Sequence, residues 1–281
     1  MSDHYFGLKK HQISIVLSLF FCLVFLFILP VYAELTGLQI IEKQKELHKV
    51  KTEYGEELML LVETKNGNKE QREVKRYSKE TGNDLNKYLL VFLKPADIRS
   101  TALLTHENNS RDDDQWLYMP AVKKMKRIAA SSKKSYFMGT DFTYEDMEPE
   151  DIDNFTYRIL KTEIIGQDKK QNNCYVIEAV PANKEKARAS AYSKRILWIE
   201  KEVFITLKVE FYDRRERLIK TQNSFEFKNI EGTVYRPGKI IMDNIRKKHK
   251  TLTLIKKRVI NQPVDDVVFT ERFILNNKHV N

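Results

Sequence analysis

The sequence has 281 residues, 42% apolar and 31% charged, with 49 Lys and Arg against 39 Asp and Glu for a formal charge of +10. That mixture excludes a disordered chain, and nine glycines and seven prolines exclude collagen-like and flexible-linker architectures. Two cysteines exclude a disulfide scaffold.

Residues 13–30 form a nearly unbroken apolar run behind Lys9, Lys10 and His11. Val31-Tyr32-Ala33 follows, with residues at its ends that suit a signal peptidase. The pattern predicts a secretory signal peptide over 1–33, cut after Ala33, and a periplasmic domain over 34–281. The rival is an uncleaved anchor, since about 18 apolar residues reach roughly 27 Å, just enough to span a bilayer. Cys22 follows Leu19-Phe20-Phe21 with no small residue before it, which argues against a lipoprotein site. Without residues 1–33 the formal charge falls by one unit, so the basic excess belongs to the folded part.

Thr36 to Lys51 reads as one helix, capped by Thr36, with Leu38, Ile41, Leu47 and Val50 on its apolar stripe. The period then changes to two. Leu58, Leu60 and Val62 alternate, Asn66-Gly67 suits a type I′ hairpin turn, and Gln71 to Ser78 returns. Tyr88, Leu90 and Phe92 alternate up to Pro95, and Leu103 to Thr105 starts another strand. Trp116 and Tyr118 share a face after the Arg111 to Asp114 turn, and a helix is expected near Asp141 to Met147. In the second half Phe155 to Ile159, Tyr175 to Ala179, Ile196 with Trp198, and Val203 to Phe211 all alternate. Phe225 with Phe227, Tyr235 to Met242 and Thr251 to Ile260 follow, before a last helix opened by Asp265-Asp266 and running through Phe273. About eleven strands in series, without regularly alternating helices, predict a mainly β fold built on one large antiparallel sheet. One apolar face per strand requires that sheet to curl or to be covered by helices.

No catalytic pattern emerges. The six histidines are scattered without metal-ligand spacing, and no nucleophile elbow, P-loop or dinucleotide fingerprint is present. Cys174 sits on an alternating strand and reads as a structural thiol. Asp112 to Asp114 lacks the spacing of a calcium loop and reads as a solvated turn. Asp141, Glu145 and Asp146 would need a histidine or metal partner to serve as paired acid and base. The expectation is therefore a protein that is not an enzyme and carries no metal or cofactor. Basic runs at Lys123 to Arg127, Lys133-Lys134 and Arg246 to Lys250 fit either a solvated face or anionic lipid headgroups, and an exported protein rarely meets nucleic acid.

One stretch is distinctive. Asp114-Gln115-Trp116-Leu117-Tyr118-Met119-Pro120-Ala121 runs on through Arg127-Ile128. Ser135-Tyr136-Phe137-Met138-Gly139-Thr140-Asp141-Phe142-Thr143-Tyr144-Glu145-Asp146 follows shortly after. Together with Thr36-Gly37, Phe92 to Ile98, Thr101 to Leu104, Tyr235-Arg236-Pro237, Ile241-Met242-Asp243 and Phe269-Thr270, it resembles the outer membrane lipoprotein-sorting protein family of the LolA/LolB-like superfamily. The resemblance covers essentially all of residues 34–281. It implies an incomplete antiparallel β-barrel of about eleven strands, helices closing its open side, and an apolar cavity between them that takes acyl chains. It further implies a resistance-nodulation-division (RND) type exporter as partner.

Within that frame Ser131 to Met147 is expected to form a lid or mouth, with Phe137, Met138, Phe142 and Tyr144 facing the ligand and Trp116 and Tyr118 pointing from the adjoining strand. The same aromatics would equally serve as a core plug. Arg127 and Asp141 flank the loop and are expected to pair as a clamp, or Arg127 to meet a lipid phosphate. The function expected is a periplasmic carrier or chaperone that binds a lipid or lipoprotein acyl group and moves it towards the outer membrane. The alternative is a lipid- or lipoprotein-sensing adaptor for a membrane partner, possessing no transport role.

Overall fold

A computed structural model describes residues 34–280 apart from 110 and 150. The expected signal peptide, its cleavage site and Cys22 lie outside the described residues.

The first element is helix α1 (Gly37–Leu47). Thr36 caps it reciprocally: its hydroxyl accepts from the Gln39 N–H at 3.2 Å, and its own N–H donates to Gln39 Oε1 at 2.9 Å. Ile40 and Ile41 are buried while Leu38 is 42% exposed, so the apolar stripe is shifted from the one expected. Gly37 lies directly on strand β7 (Phe155–Gln167), where an added Cβ would come within 2.9 Å of the Tyr157 carbonyl carbon. Glycine is required there by close approach.

The remaining strands are β1 (Thr52–Glu63), β2 (Lys69–Gly82), β3 (Leu85–Lys94), β4 (Ala102–His106), β5 (Asp114–Met119) and β6 (Lys124–Arg127) in the first half. The second half supplies β8 (Lys170–Pro181), β9 (Lys194–Glu200), β10 (Thr206–Tyr212), β11 (Leu218–Phe225), β14 (Lys239–Asn244) and β15 (His249–Ile260). A small ribbon of β12 (Lys228–Glu231) and β13 (Val234–Arg236) stands apart. The main sheet is antiparallel with order β6-β5-β4-β3-β2-β1-β15-β14-β11-β10-β9-β8-β7, so β1 and β15 join the two halves and β6 and β7 remain as free edges. This is an incomplete barrel of thirteen strands among the described residues, two more than expected.

Several local expectations differ from what forms. In β1 the most buried residues are Met59 and Leu61 on one face, while Leu58, Leu60 and Val62 on the other are only half-buried; residues 58–62 are apolar at both parities, so alternation does not fix the phase. Gly67 takes a positive φ but Asn66 does not, so residues 64–68 make a wider loop than a type I′ turn. Pro237-Gly238 divides the run from Tyr235 to Met242 into β13 and β14. The segment expected to be helical near Asp141 holds only a single turn, Glu145–Met147. Thr270 interrupts the last helix, ending a tight turn at Phe269 and capping a short helix, α3 (Glu271–Leu275), after the intervening α2 (Lys184–Ala189).

The two faces of the sheet are covered differently. Phe269 and Ile274 of the C-terminal segment pack on Leu89, Val91, Ala102, Leu104 and Tyr118, which defines the outer face. The inner face carries α1 towards one end of the strands and the loop 131–147 towards the other.

Candidate functional site

The loop expected to be a lid is a plug. Thr140 N–H donates to the Phe137 carbonyl at 2.9 Å across Met138 and Gly139, both at positive φ, which is type I′ geometry. Phe137 is fully buried, with its ring 5.7 Å from Phe92 and 5.5 Å from Tyr144. Phe142 and Tyr144 are buried beside it, while Met138 is half-buried and its carbonyl accepts from Arg72.

The acidic residues of this distinctive stretch are its anchors. Asp141 N–H donates to Thr251 Oγ1 at 2.9 Å, and its carboxylate meets Thr251 at 2.8 Å and His249 Nδ1 at 2.7 Å. Glu145 accepts from Ser190 Oγ and the Ala191 N–H, each at 2.6 Å, and pairs with Arg195 at 3.0 Å. Asp146 pairs with Lys220, which is 1% exposed, and accepts from the Tyr192 hydroxyl at 2.9 Å. Burial opposes charge on Asp146, yet the Lys220 ammonium and the Thr143 N–H hold its pKa below the ordinary carboxylate value.

The other candidate residues lie elsewhere. Trp116 and Tyr118 are on the outer face: Trp116 packs in the C-terminal cluster with its ring 5.1 Å from His106, and the buried Tyr118 donates to Asn277 Oδ1 at 3.0 Å. The sheet separates them from Phe137. The clamp between Arg127 and Asp141 does not form. Arg127 Nε donates to Asp114 Oδ1 at 2.8 Å, and Arg111 reaches the other Asp114 oxygen. The Arg111 and Arg127 guanidiniums hold the Asp114 carboxyl far below its usual value against the cost of burial. Asp141 is spoken for by β15 on the opposite side of the plug. Cys174 is a fully buried free thiol, pushed up to about 11 by burial.

The space that remains open is at the other end of the inner face. A cavity of about 570 Å³ lies between α1 and the sheet, within the range of small-molecule sites. Its wall runs along the sheet from Tyr88 on β3 through Ile240 on β14 to Val209 and Leu197 on β10 and β9. Ile205, Phe227 and Tyr235 also line it, beside polar residues such as Gln44, Glu53, Glu107 and Gln222. None of the eight residues expected from sequence lines it. Ile205, Phe227 and Tyr235 also line a second cleft, of about 760 Å³, on the far side of the ribbon.

Polar contacts latch α1 over this cavity. His48 Nε2–H donates to the Val203 carbonyl at 2.8 Å, and Nδ1 accepts from the Tyr235 N–H at 3.2 Å, which fixes a neutral tautomer. Burial lowers the pKa of His48 and keeps it uncharged. Arg236 donates to the His48 carbonyl at 2.9 Å and to Glu53 at 2.9 Å, and Arg258 donates to the same Glu53 at 2.7 Å. Thr233 Oγ1 adds a bond to the Leu47 carbonyl at 2.7 Å. Sequence reasoning missed this latch because its members are isolated polar residues on four separate elements. The one available signal was His48 at the end of an otherwise charged helix.

Among the described residues no cluster of His, Cys, Asp and Glu is arranged to hold a metal ion, and no helix is long and apolar enough to cross a membrane.

A family model described as an uncharacterized protein matches residues 84–276. A crystallised domain from Vibrio parahaemolyticus, described as an outer membrane lipoprotein-sorting protein, is 29% identical with a TM-score of 0.78, over 85% of this chain and 98% of its own. A DUF1329 family protein from Desulfovibrio piger is 26% identical with a TM-score of 0.78, over 85% and 97%. A LolA superfamily protein from Nitrosomonas europaea shares the fold at 21% identity and a TM-score of 0.65, over 85% and 99%. Among curated proteins none matches the sequence. The chain belongs to the outer membrane lipoprotein-sorting protein family and has the incomplete-barrel fold of the LolA superfamily.

Proposed function

We propose that this protein is a periplasmic carrier that holds an acyl chain of a lipid or lipoprotein in the cavity beneath α1 and moves it towards the outer membrane. The observation that carries the reading is the unfilled space of about 570 Å³, whose wall is part aliphatic and part polar, on a face whose other end the chain fills with its own aromatics. Each buried methylene of an acyl chain is worth about 0.8 kcal/mol, so the aliphatic part of this wall supplies affinity for such a chain. Release requires a wall that moves. The α1 latch suits this, because opening it breaks side-chain contacts and leaves the sheet ladder intact. An RND-type exporter, implied by the resemblance, is the membrane partner we assign to the transfer step, and residues 1–33 are read as the export signal.

The test is a substitution that fills the cavity. Ile240→Trp, at a half-buried wall position, is expected to lower binding of a fluorescent fatty acid at least about tenfold while far-UV circular dichroism stays unchanged. Binding equal to the parent would overturn the reading. The sensing-adaptor alternative draws on the free edge β7, where Ile164 is 66% exposed and open to strand pairing with a partner. A carrier moves labelled lipid between vesicles, whereas an adaptor binds it and transfers none.

A further inference from the structure

The two ends of the strands differ in charge as well as in filling. Beyond the plug, three turns come together: residues 63–68 between β1 and β2, 213–218 before and into β11, and 245–248 between β14 and β15. Thr64 N–H donates to the Lys248 carbonyl at 2.9 Å and Arg246 N–H to the Ile219 carbonyl at 3.3 Å, so the turns form one continuous rim. The rim carries seven Lys and Arg against three carboxylates. At the cavity end, the turns at 82–84, 168–170, 200–202 and 226–232 carry six carboxylates against four lysines. The basic excess of the chain is therefore displayed at one end.

Some of the rim cations are already engaged. Arg217 pairs with Asp213 at 2.6 Å, Arg214 donates to the Arg188 carbonyl at 3.1 Å, and Lys247 lies over the Tyr136 ring at 3.2 Å. Arg215, Arg246 and Lys248 are exposed, and no carboxylate pairs with them among the described residues. Two aliphatic side chains stand among these cations in the open: Leu218 at 37% and Ile245 at 47% exposure. A solvated charged face does not need them. Cations that reach the headgroup layer, with aliphatic tips that enter the acyl boundary between them, are the composition of an interfacial membrane contact.

We propose that this rim docks the protein on the anionic phospholipid surface of a bilayer, with Leu218 and Ile245 entering the headgroup layer and Arg215, Arg246 and Lys248 meeting lipid phosphates. The rim and the cavity lie at opposite ends of β1, ten residues or about 33 Å apart from Glu63 to Glu53. Docking by the rim therefore leaves α1 and its latch facing away from the bilayer, free for a second partner.

The experiment is flotation of the full chain with vesicles containing phosphatidylglycerol and, in parallel, with pure phosphatidylcholine vesicles. The difference between the two isolates the charge-dependent part from any affinity of the apolar run at 13–30. The parent is expected to prefer the anionic vesicles by about tenfold at low salt, with the preference falling as salt screens the rim. The triple variant Arg215→Glu/Arg246→Glu/Lys248→Glu is expected to abolish the preference, and Ile245→Ser to lower it several-fold. Lys169→Glu/Lys170→Glu at the opposite end should retain it. Thermal melts of all variants establish that they fold. An equal partition of the parent on both vesicles, or a triple variant that keeps the preference, would overturn the proposal. So would a charge reversal that releases only an acidic protein partner and leaves vesicle binding unchanged.

Discussion

The inner face of this barrel is one surface put to two uses. Towards the basic rim the chain fills it with Phe137, Phe142 and Tyr144 and ties the loop down through Asp141, Glu145 and Asp146 to β15, β9 and β11. Towards the other end α1 spans the same strands without filling the space beneath, held by the buried Ile40 and Ile41, the close packing of Gly37 on β7 and a few polar side chains. The same strands supply both: β3 gives Phe92 to the plug and Tyr88 to the cavity, and β10 gives Phe211 to one and Val209 to the other. A short distance along each strand separates a region filled by aromatic side chains from one left open beneath a helix.

The contrast can be broken or sharpened by substitution. The largest effect is expected from Asp146→Ala, which leaves Lys220 buried without its carboxylate and should cost about 3–5 kcal/mol in denaturant unfolding. Phe137→Ala removes a fully buried ring and is expected to cost about 3 kcal/mol, with fatty-acid binding per folded molecule unchanged. A loss of binding without loss of stability in Phe137→Ala would mean that the plug belongs to the site. Gly37→Val should force α1 away from Tyr157 at a cost of about 1–3 kcal/mol, and should alter ligand affinity as well. His48→Ala removes two latch hydrogen bonds worth about 1–2 kcal/mol together, and is expected to speed amide exchange in α1 far more than in β1.

The smallest effect is a pH dependence. His48, His106 and His279 all have pKa values lowered by burial, so the unfolded chain takes up protons before the folded one. Stability that is complete above the ordinary value of 6.5 is then lost as pH falls below it. Glu148, pushed up to about 7 by burial, gains its proton in the folded state over the same range and opposes this loss. The histidine share is therefore read as the difference His48→Gln makes to the denaturation midpoint between about pH 7 and pH 5.

The sheet was readable because alternation is a local signal, and most strands formed where Tyr88 to Phe92 or Leu207 to Phe211 predicted them. The phase was less secure in β1, since residues 58–62 are apolar at both parities. The site was harder to read. The aromatic stretch from Phe137 to Tyr144 drew attention because it is dense and distinctive, yet density of that kind also marks a well-packed plug. The cavity is defined by absence, a space left between α1 and the strands that carry Leu197, Val209 and Ile240, and no pattern within a single segment encodes an empty volume. The pairing of Arg127 with Asp114 instead of Asp141 was likewise set by the sheet: Arg127 on β6 lies opposite Trp116, on the same face as Asp114, whereas Asp141 is held against β15.

The unpaired edges have a mechanical consequence. Because β6 and β7 are not joined, the thirteen strands behave as a coiled ribbon with twelve hinges rather than as a closed hoop. A change of about 2° in the twist at each pairing, small beside the usual 20–25°, adds up to roughly 25° between the two edges. Such a ribbon can widen or tighten its grip on a guest by sharing the deformation along its whole length, so that no single pairing has to give way.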